Sequence, residues 1–124
     1  MVTLTKAEEK IMKILWRIEK GFIKDIIDQY PDPKPPYNSV STIVRVLVQK
    51  EIVGYTAFGK SHQYHPLISK DEYSEGQLSR LVKDYYSNSL SKVVNFFSES
   101  KELSEKELDE AMKMLEKLKS QKNG

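Results

Sequence analysis

Hydrophobic residues in the first part of the chain recur every three or four positions, which is the spacing of one helix face. Thr5 and, three residues later, Glu8 are typical of a capping box, in which each side chain accepts a backbone N–H from the other residue. We predict a first helix that begins after Thr5 and ends at Gly21, and a shorter one from Phe22 to Tyr30. The apolar stripe of the first helix consists of Ala7, Ile11, Ile14, Leu15 and Ile18.

The pattern breaks at the proline-rich segment Pro31–Pro36, which cannot continue a helix because proline lacks the backbone donor. A third helix is predicted from Ser39 to Lys50, with Asn38 or Ser39 as its cap. Beyond it, apolar and polar residues alternate, which predicts two strands, Ile52–Phe58 and Ser61–Pro66, joined by a Gly59–Lys60 turn. The apolar face of the third helix consists of Val40, Ile43, Val44 and Leu47.

Three helices followed by a hairpin predict a mainly α fold with a small β-hairpin, the winged helix-turn-helix. In this arrangement the third helix is the recognition helix and the hairpin is the wing. A DNA major groove admits one helix, and a hairpin beside it reaches the flanking backbone or the minor groove. The order of elements therefore predicts that residues 1–72 form a DNA-binding domain.

The remaining residues, 73–124, have a helical pattern throughout, with a second capping-box pair at Ser104 and Glu107. None of these helices is long enough to bury its apolar stripe alone, so we expect them to pack against a second copy of the chain. The residues predicted to form this homodimer interface are Leu78, Leu81, Val82, Tyr85, Leu90, Val93, Val94, Phe97, Leu108, Met112, Leu115 and Leu118.

Composition excludes several classes of protein. The chain has 124 residues, of which 39% are hydrophobic, and its apolar runs are far shorter than the roughly 20 residues that span a bilayer. We expect a cytoplasmic protein without membrane insertion, because no secretion signal follows Met1. The absence of cysteine excludes disulfides, thiolate metal sites and a cysteine nucleophile.

The net charge of +2 does not by itself indicate nucleic-acid binding, but its distribution is informative. Residues 31–70 carry five basic and two acidic residues, whereas residues 71–124 carry nine basic and eleven acidic residues. The positive charge is therefore concentrated around the predicted recognition helix and wing.

Polar side chains on these two elements are the candidates for DNA contacts. Hydroxyls bind base edges or phosphates, and arginine favours guanine in the major groove. Each candidate also has an alternative without DNA. The polar face of the third helix can be ordinary solvated surface. Lys60 can belong to a plain polar turn, and Lys50 can stabilise the C-terminus of the helix electrostatically. The residues predicted to bind DNA are Asn38, Ser39, Ser41, Thr42, Arg45, Lys50, Lys60 and His62.

Enzymatic activity and cofactor binding are not expected. His62 and His65, the only histidines, lie three residues apart on a strand and so point to opposite faces, which is poor geometry for a shared metal. No nucleophile elbow or phosphate-cradling glycine loop occurs in the sequence. Trp16 and the tyrosines lie beside apolar stripes, where packing accounts for them better than a ligand pocket does.

Four segments resemble successive parts of the penicillinase-repressor (BlaI/MecI) family. They are LTKAEEKIMKILW (residues 4–16), YNSVSTIVRVLVQKEIV (37–53), GKSHQYHPLISKDEY (59–73) and SLSKVVNFFSESKELSEKELDEAMKML (89–115). The resemblance implies a homodimeric transcriptional repressor that binds palindromic operator double-stranded DNA and dimerises through its C-terminal helices.

The same resemblance implies how repression ends. Asn95 and Phe96 match the Asn-Phe bond that is cleaved in the β-lactam-responsive repressors of the family, which implies a separate, signal-activated protease as a partner. Alternatively, Phe96 and Phe97 belong to the apolar core of the dimer interface and have no other role. This alternative is compatible with cleavage.

The chain departs from the family at three points. Val46 stands where members often carry arginine, Glu51 stands where a helix-ending glycine is usual, and the paired C-terminal cysteines of copper-responsive relatives are absent. Val46 and the low net charge leave open a second function, a winged-helix protein-interaction module that does not bind specific DNA.

Overall fold

The first helix begins where its cap predicts. The computed structural model describes residues 2–100 and 103–123, and its first helix is α1 (Lys6–Ile18). The Glu8 N–H donates to Thr5 Oγ1 over 3.1 Å, and the Thr5 N–H donates to Glu8 Oε1 over 2.8 Å, which confirms the capping box. The predicted end at Gly21 was wrong. Glu19, at a φ of 73°, follows the last helical residue, and its N–H donates to the Leu15 carbonyl.

Gly21 has a different role, in pairing with the hairpin. Its N–H donates to the Tyr64 carbonyl over 2.9 Å, and the Tyr64 N–H donates back over 2.7 Å. A Cβ at this position would lie 2.9 Å from Ile18 Cδ1, so a larger residue would have to displace the end of that side chain. The following helix, α2 (Ile23–Asp28), is shorter than predicted and is capped by Asp25, which accepts the Phe22 N–H.

The third helix, α3 (Tyr37–Gln49), begins two residues before the predicted start. Neither Asn38 nor Ser39 caps it, and that prediction was wrong: Pro36 is the cap, and both residues lie in the first turn. The extended backbone of Pro36, with φ −62° and ψ 147°, leads directly into the helix, and its carbonyl accepts the Ser39 N–H.

The hairpin consists of β1 (Val53–Phe58) and β2 (Ser61–Pro66), which confirms the predicted strands to within one residue. The strands are antiparallel, with Val53 opposite Pro66 and Phe58 opposite Ser61. Gly59 occupies the turn at a φ of 62°, which glycine adopts without strain.

One core joins these elements. Its fully buried members come from α1, α2, α3 and the first strand, and the fold is a winged helix-turn-helix. They are Ile11, Met12, Leu15, Ile26, Val40, Val44, Leu47 and Val53.

The next helix, α4 (Lys70–Tyr85), is attached to α1 at its N-terminal end. Ser69 and Glu72 form a reciprocal capping pair, which the sequence reading overlooked. The Tyr73 hydroxyl donates to Glu9 over 2.8 Å, and Trp16 Nε1 donates to the Ile68 carbonyl over 2.9 Å. Trp16 and Tyr73 also pack with ring centroids 5.6 Å apart, so Trp16 has a packing role.

The chain divides into two compact units, Met1–Leu78 and Ser79–Gly124. The second unit contains the rest of α4, then α5 (Leu90–Glu99) and α6 (Glu105–Asn123). Ser104 accepts the Glu107 N–H, as the predicted capping pair requires, and Ser89, which was not predicted as a cap, accepts the Lys92 N–H. In the described parts of these helices, none is both long and apolar enough to cross a membrane.

The apolar stripes of α4, α5 and α6 are largely exposed in the single chain. No side chain described in these three helices is fully buried. Of the twelve residues predicted to form a dimer interface, Val82, Val93 and Phe97 are half-buried and the others are exposed.

Candidate nucleic-acid interface

A groove of about 700 Å³ lies between α2, α3 and the hairpin. Ser41 and Arg45 line it from α3, and Lys60 and His62 line it from the wing. Four of the eight residues predicted to bind DNA are therefore brought together, although they come from separate elements. The α3 side is polar because Val40, Val44 and Leu47 turn the opposite side of the helix into the core.

The groove is positively charged. Lys24, from α2, joins Arg45 and Lys60, whereas Asp25 is the acidic residue of the lining. The Asp25 carboxylate accepts the Phe22 N–H over 2.9 Å, so it is already engaged in capping α2. Sequence reasoning missed Lys24, because a pairing distant in sequence, between Gly21 and Tyr64, attaches the start of α2 to the hairpin.

Gln49 was also missed, although the sequence contains a signal for it. It is exposed, it lines the groove, and it follows Arg45 by one helical turn. A glutamine side chain can pair with an adenine edge through two hydrogen bonds. Continuing the outward face of α3 by one turn would have identified it.

Aromatic rings form the wing side of the groove. The His62 imidazole stacks on Tyr55, with centroids 4.1 Å apart and planes at 8°, and meets Tyr64 edge-on at 6.1 Å. Tyr64 is buried, and burial, together with the nearby Tyr37 hydroxyl, raises its pKa above the usual 10. The Tyr64 hydroxyl therefore stays protonated at neutral pH.

The other predicted residues of α3 lie outside the groove lining. Asn38, Ser39 and Thr42 are exposed on the helix, and the Thr42 hydroxyl donates to the Asn38 carbonyl over 2.8 Å. That bond uses the hydroxyl proton of Thr42 and leaves its oxygen free to accept. Val46 is 36% exposed on the same helix.

Lys50 is held by a buried carboxylate. Its Nζ lies 2.8 Å and 3.1 Å from the two oxygens of Glu8, a residue that is only 4% exposed. Burial alone would raise the pKa of Glu8, but hydrogen bonds from Lys50 and from the Thr5 N–H outweigh it and hold the pKa below its usual 4.5. The structure thus links the end of α3 to the start of α1 and does not bring Lys50 into the groove.

His65 lies away from His62. It faces Gly54 across the hairpin, whereas His62 faces Ala57, and the two imidazoles belong to opposite faces. Within the described residues, no group of three or more His, Cys, Asp and Glu side chains is placed to hold a metal ion.

The Asn95–Phe96 bond lies inside α5, and both side chains are exposed. The Asn95 carbonyl accepts from the Ser98 hydroxyl over 2.8 Å, and the Phe96 carbonyl accepts the Ser100 N–H over 3.1 Å. Phe96 and Phe97 meet edge to face with centroids 5.2 Å apart. A shallow depression of about 330 Å³ beside the bond is lined by Leu90, Ser91, Val94, Asn95 and Ser98.

Comparison with known proteins identifies the family of the chain. The family model described as penicillinase repressor matches residues 4–117, which is nearly the whole chain. The solved structure of the CopR repressor is similar over 55% of this chain and 100% of its own, with 25% sequence identity and a TM-score of 0.45. No curated protein sequence matches significantly.

Proposed function

The chain belongs to the penicillinase repressor family, and from this premise we propose that it represses transcription by binding palindromic operator DNA as a homodimer. In this proposal α3 enters the major groove and the wing contacts the flanking backbone. The observation that carries it is the groove between α3 and the wing, where Arg45, Lys60 and Lys24 face a single acidic residue.

The residues divide by role. Asn38, Ser39, Thr42, Arg45 and Gln49 lie on the exposed part of α3 and are the candidates for base contacts, because their amide, hydroxyl and guanidinium groups match base edges. Ser41 and Lys60 line the groove and are suited to phosphates, which fix position without reading sequence.

The test begins with selection of bound duplexes from a random DNA pool by the purified chain. Arg45→Ala is expected to weaken binding to the selected duplex and to reduce discrimination by about 1–3 kcal/mol, since a base-reading arginine is lost. Lys60→Ala is expected to weaken binding to all duplexes and to lower the slope of log affinity against log salt by about 1.

Lys106→Ala, on α6, is the control for loss of one positive charge and should leave the slope unchanged. Equal affinity for selected and random duplexes at moderate salt would contradict the proposal. It would favour the protein-interaction module instead.

Dimerisation is supported by the exposed apolar stripes of α4, α5 and α6. A two-fold dimer places two copies of α3 on half-sites about one helical turn apart, roughly 34–36 Å. The selected duplexes should therefore contain inverted repeats with this spacing.

Inactivation by a signal-activated protease at Asn95–Phe96 is the final part of the proposal. It is supported by the resemblance to β-lactam-responsive repressors and by the exposure of both side chains. Because the bond lies in a helix, α5 must open locally before a protease can bind the extended chain. Cleavage there leaves the winged helix whole but detaches Phe97 and the stripe of α6, which together hold five of the twelve predicted interface residues. A fragment that no longer dimerises loses an avidity gain of about 10²–10⁴.

Mass spectrometry of the chain before and after induction tests this mechanism. The expected fragments end at Asn95 and begin at Phe96. An intact chain during derepression, or normal induction of an Asn95→Ala, Phe96→Ala variant that still represses, would refute it.

A further inference from the structure

The lining of the groove includes an imidazole, the ring of His62. Histidine is the side chain that titrates between about pH 5 and pH 8. The His62 ring lies flat on Tyr55 at 4.1 Å, so one ring face is covered and its orientation is held. The imidazole lines the same groove as Arg45 and Lys60, the side chains proposed to contact DNA.

The groups around His62 come from three elements. The charged ones are Lys24 and Asp25 on α2, Arg45 on α3 and Lys60 on the wing. The neutral titratable ones are the hydroxyls of Tyr37, Tyr55 and Tyr64. Three cations, Lys24, Arg45 and Lys60, outnumber the Asp25 carboxylate in the lining, so the groove favours an anionic ligand.

We propose that a DNA phosphate enters the groove beside His62 and that complex formation takes up one proton per protomer at this imidazole. The proposal rests on the proposed function, and it adds a regulation of the same site: operator affinity rises as the pH falls. A neutral imidazole offers one N–H donor, whereas the protonated ring offers two and a positive charge. A phosphate favours the second form, because charge-assisted hydrogen bonds are the stronger ones.

Tyr55 adds to this preference. A cation over an aromatic face is attracted to the ring, so the stack becomes a cation–π contact once His62 is charged. The same stack holds the ring edge in a fixed direction, which reduces the entropy lost when a phosphate binds.

Proton linkage gives the direction and the size of the effect of pH on operator affinity. A proton taken up in the complex makes affinity fall as the pH rises, by up to about tenfold per pH unit for each protomer. The experiment measures affinity for the duplex selected from the random pool, between about pH 6 and pH 8 and at fixed ionic strength. Calorimetry in two buffers with different ionisation enthalpies counts the protons directly, without any variant.

The second histidine gives a matched control. His65 faces Gly54, on the opposite face of the hairpin, so His65→Gln should keep the pH dependence of the wild type. His62→Gln should remove most of that dependence, whatever its affinity at about pH 8. His62→Phe keeps a ring on Tyr55 but does not titrate, so it should remove the dependence as well, and thermal melting checks that each variant folds.

The outcomes separate this inference from the proposed function. Preference for the selected duplex with no proton uptake, or with the same pH dependence in wild type and in His62→Phe, overturns the inference alone. No preference for the selected duplex at any pH overturns the proposed function and the inference together. Proton uptake that is lost in both His62 variants and kept in His65→Gln supports the proposal.

Discussion

At the scale of single residues, Glu51 adopts a conformation that usually belongs to glycine. Its φ is 62°, its N–H donates to the Val48 carbonyl, and the Ile52 N–H donates to the Leu47 carbonyl. These two bonds form a Schellman motif, so the turn into the wing keeps the geometry that a glycine would give.

Glu51→Gly is therefore expected to stabilise the fold. A non-glycine residue in the left-handed region costs about 1 kcal/mol, and glycine relieves this strain. Chemical denaturation measures the gain in the free energy of unfolding. Glu51→Ala is the control, because it removes the carboxylate but keeps the Cβ. An equal gain from both variants would assign the effect to charge and not to the backbone.

The Glu8–Lys50 pair gives a second prediction at this scale. Lys50→Met leaves the buried carboxylate of Glu8 without its cation, and we expect a loss of about 2 kcal/mol in the free energy of unfolding at neutral pH. If Lys50 instead binds phosphate, the variant will flatten the salt dependence of DNA binding.

The pH dependence of the free energy of unfolding tests whether the loss in Lys50→Met comes from the Glu8 carboxylate. Burial raises the pKa of Glu8, but the bonds from Lys50 and Thr5 lower it further, so the folded-state pKa lies below the usual 4.5. A lowered folded pKa contributes stability that is present above the unfolded value and is lost as the pH falls through the folded one. The difference between wild type and Lys50→Met should therefore narrow below about pH 4.5. A constant difference would indicate lost packing alone.

At the scale of elements, features set by residues close in sequence were predicted better than features set by contacts between distant residues. The capping box at Thr5 and Glu8 depends on residues three apart, and the structure contains both of its bonds. The predicted start of α3 was wrong because the backbone of Pro36, and not a polar side chain, leads into the helix. Lys24 and the partner of Lys50 were missed because they depend on contacts between distant segments, Gly21 with Tyr64 and Glu8 with Lys50.

The attachment of α4 to α1 can be tested through Tyr73. Tyr73→Phe removes the hydroxyl that donates to Glu9 over 2.8 Å but keeps the ring against Trp16. We expect a loss of about 1 kcal/mol in the free energy of unfolding and faster amide exchange in the first turns of α4. Tyr85→Phe, at a position that is 79% exposed, is the control. Equal effects of the two would show that the bond to Glu9 contributes nothing.

At the scale of the whole molecule, the two compact units differ in how far they bury apolar side chains. The first contains a buried core, whereas the described helices of the second contain no fully buried side chain. Exposed apolar stripes of this extent are typical of an interface. Folding of the first unit and association through the second should therefore be separable by mutation.

Val94→Asp or Leu115→Glu is expected to convert a dimer to monomers, because each places a charge inside an apolar stripe. Ser120→Glu is the control. Ser120 is exposed on α6 and lies off the face that carries Leu108, Met112, Leu115 and Leu118, so this variant should remain a dimer. Analytical sedimentation gives the mass of each variant. The emission of Trp16, the only tryptophan, reports whether the first unit stays folded.

Binding to DNA then shows what the dimer contributes. A folded monomer retains α3 and the groove, so it should bind a single half-site as tightly as the wild-type protomer does. On the full inverted repeat it should lose about 10²–10⁴ in affinity, because the second half-site is no longer held close by the first. Full affinity for the inverted repeat in a monomeric variant would mean that the DNA itself brings the two copies together, and that cleavage at Asn95–Phe96 alone could not end repression.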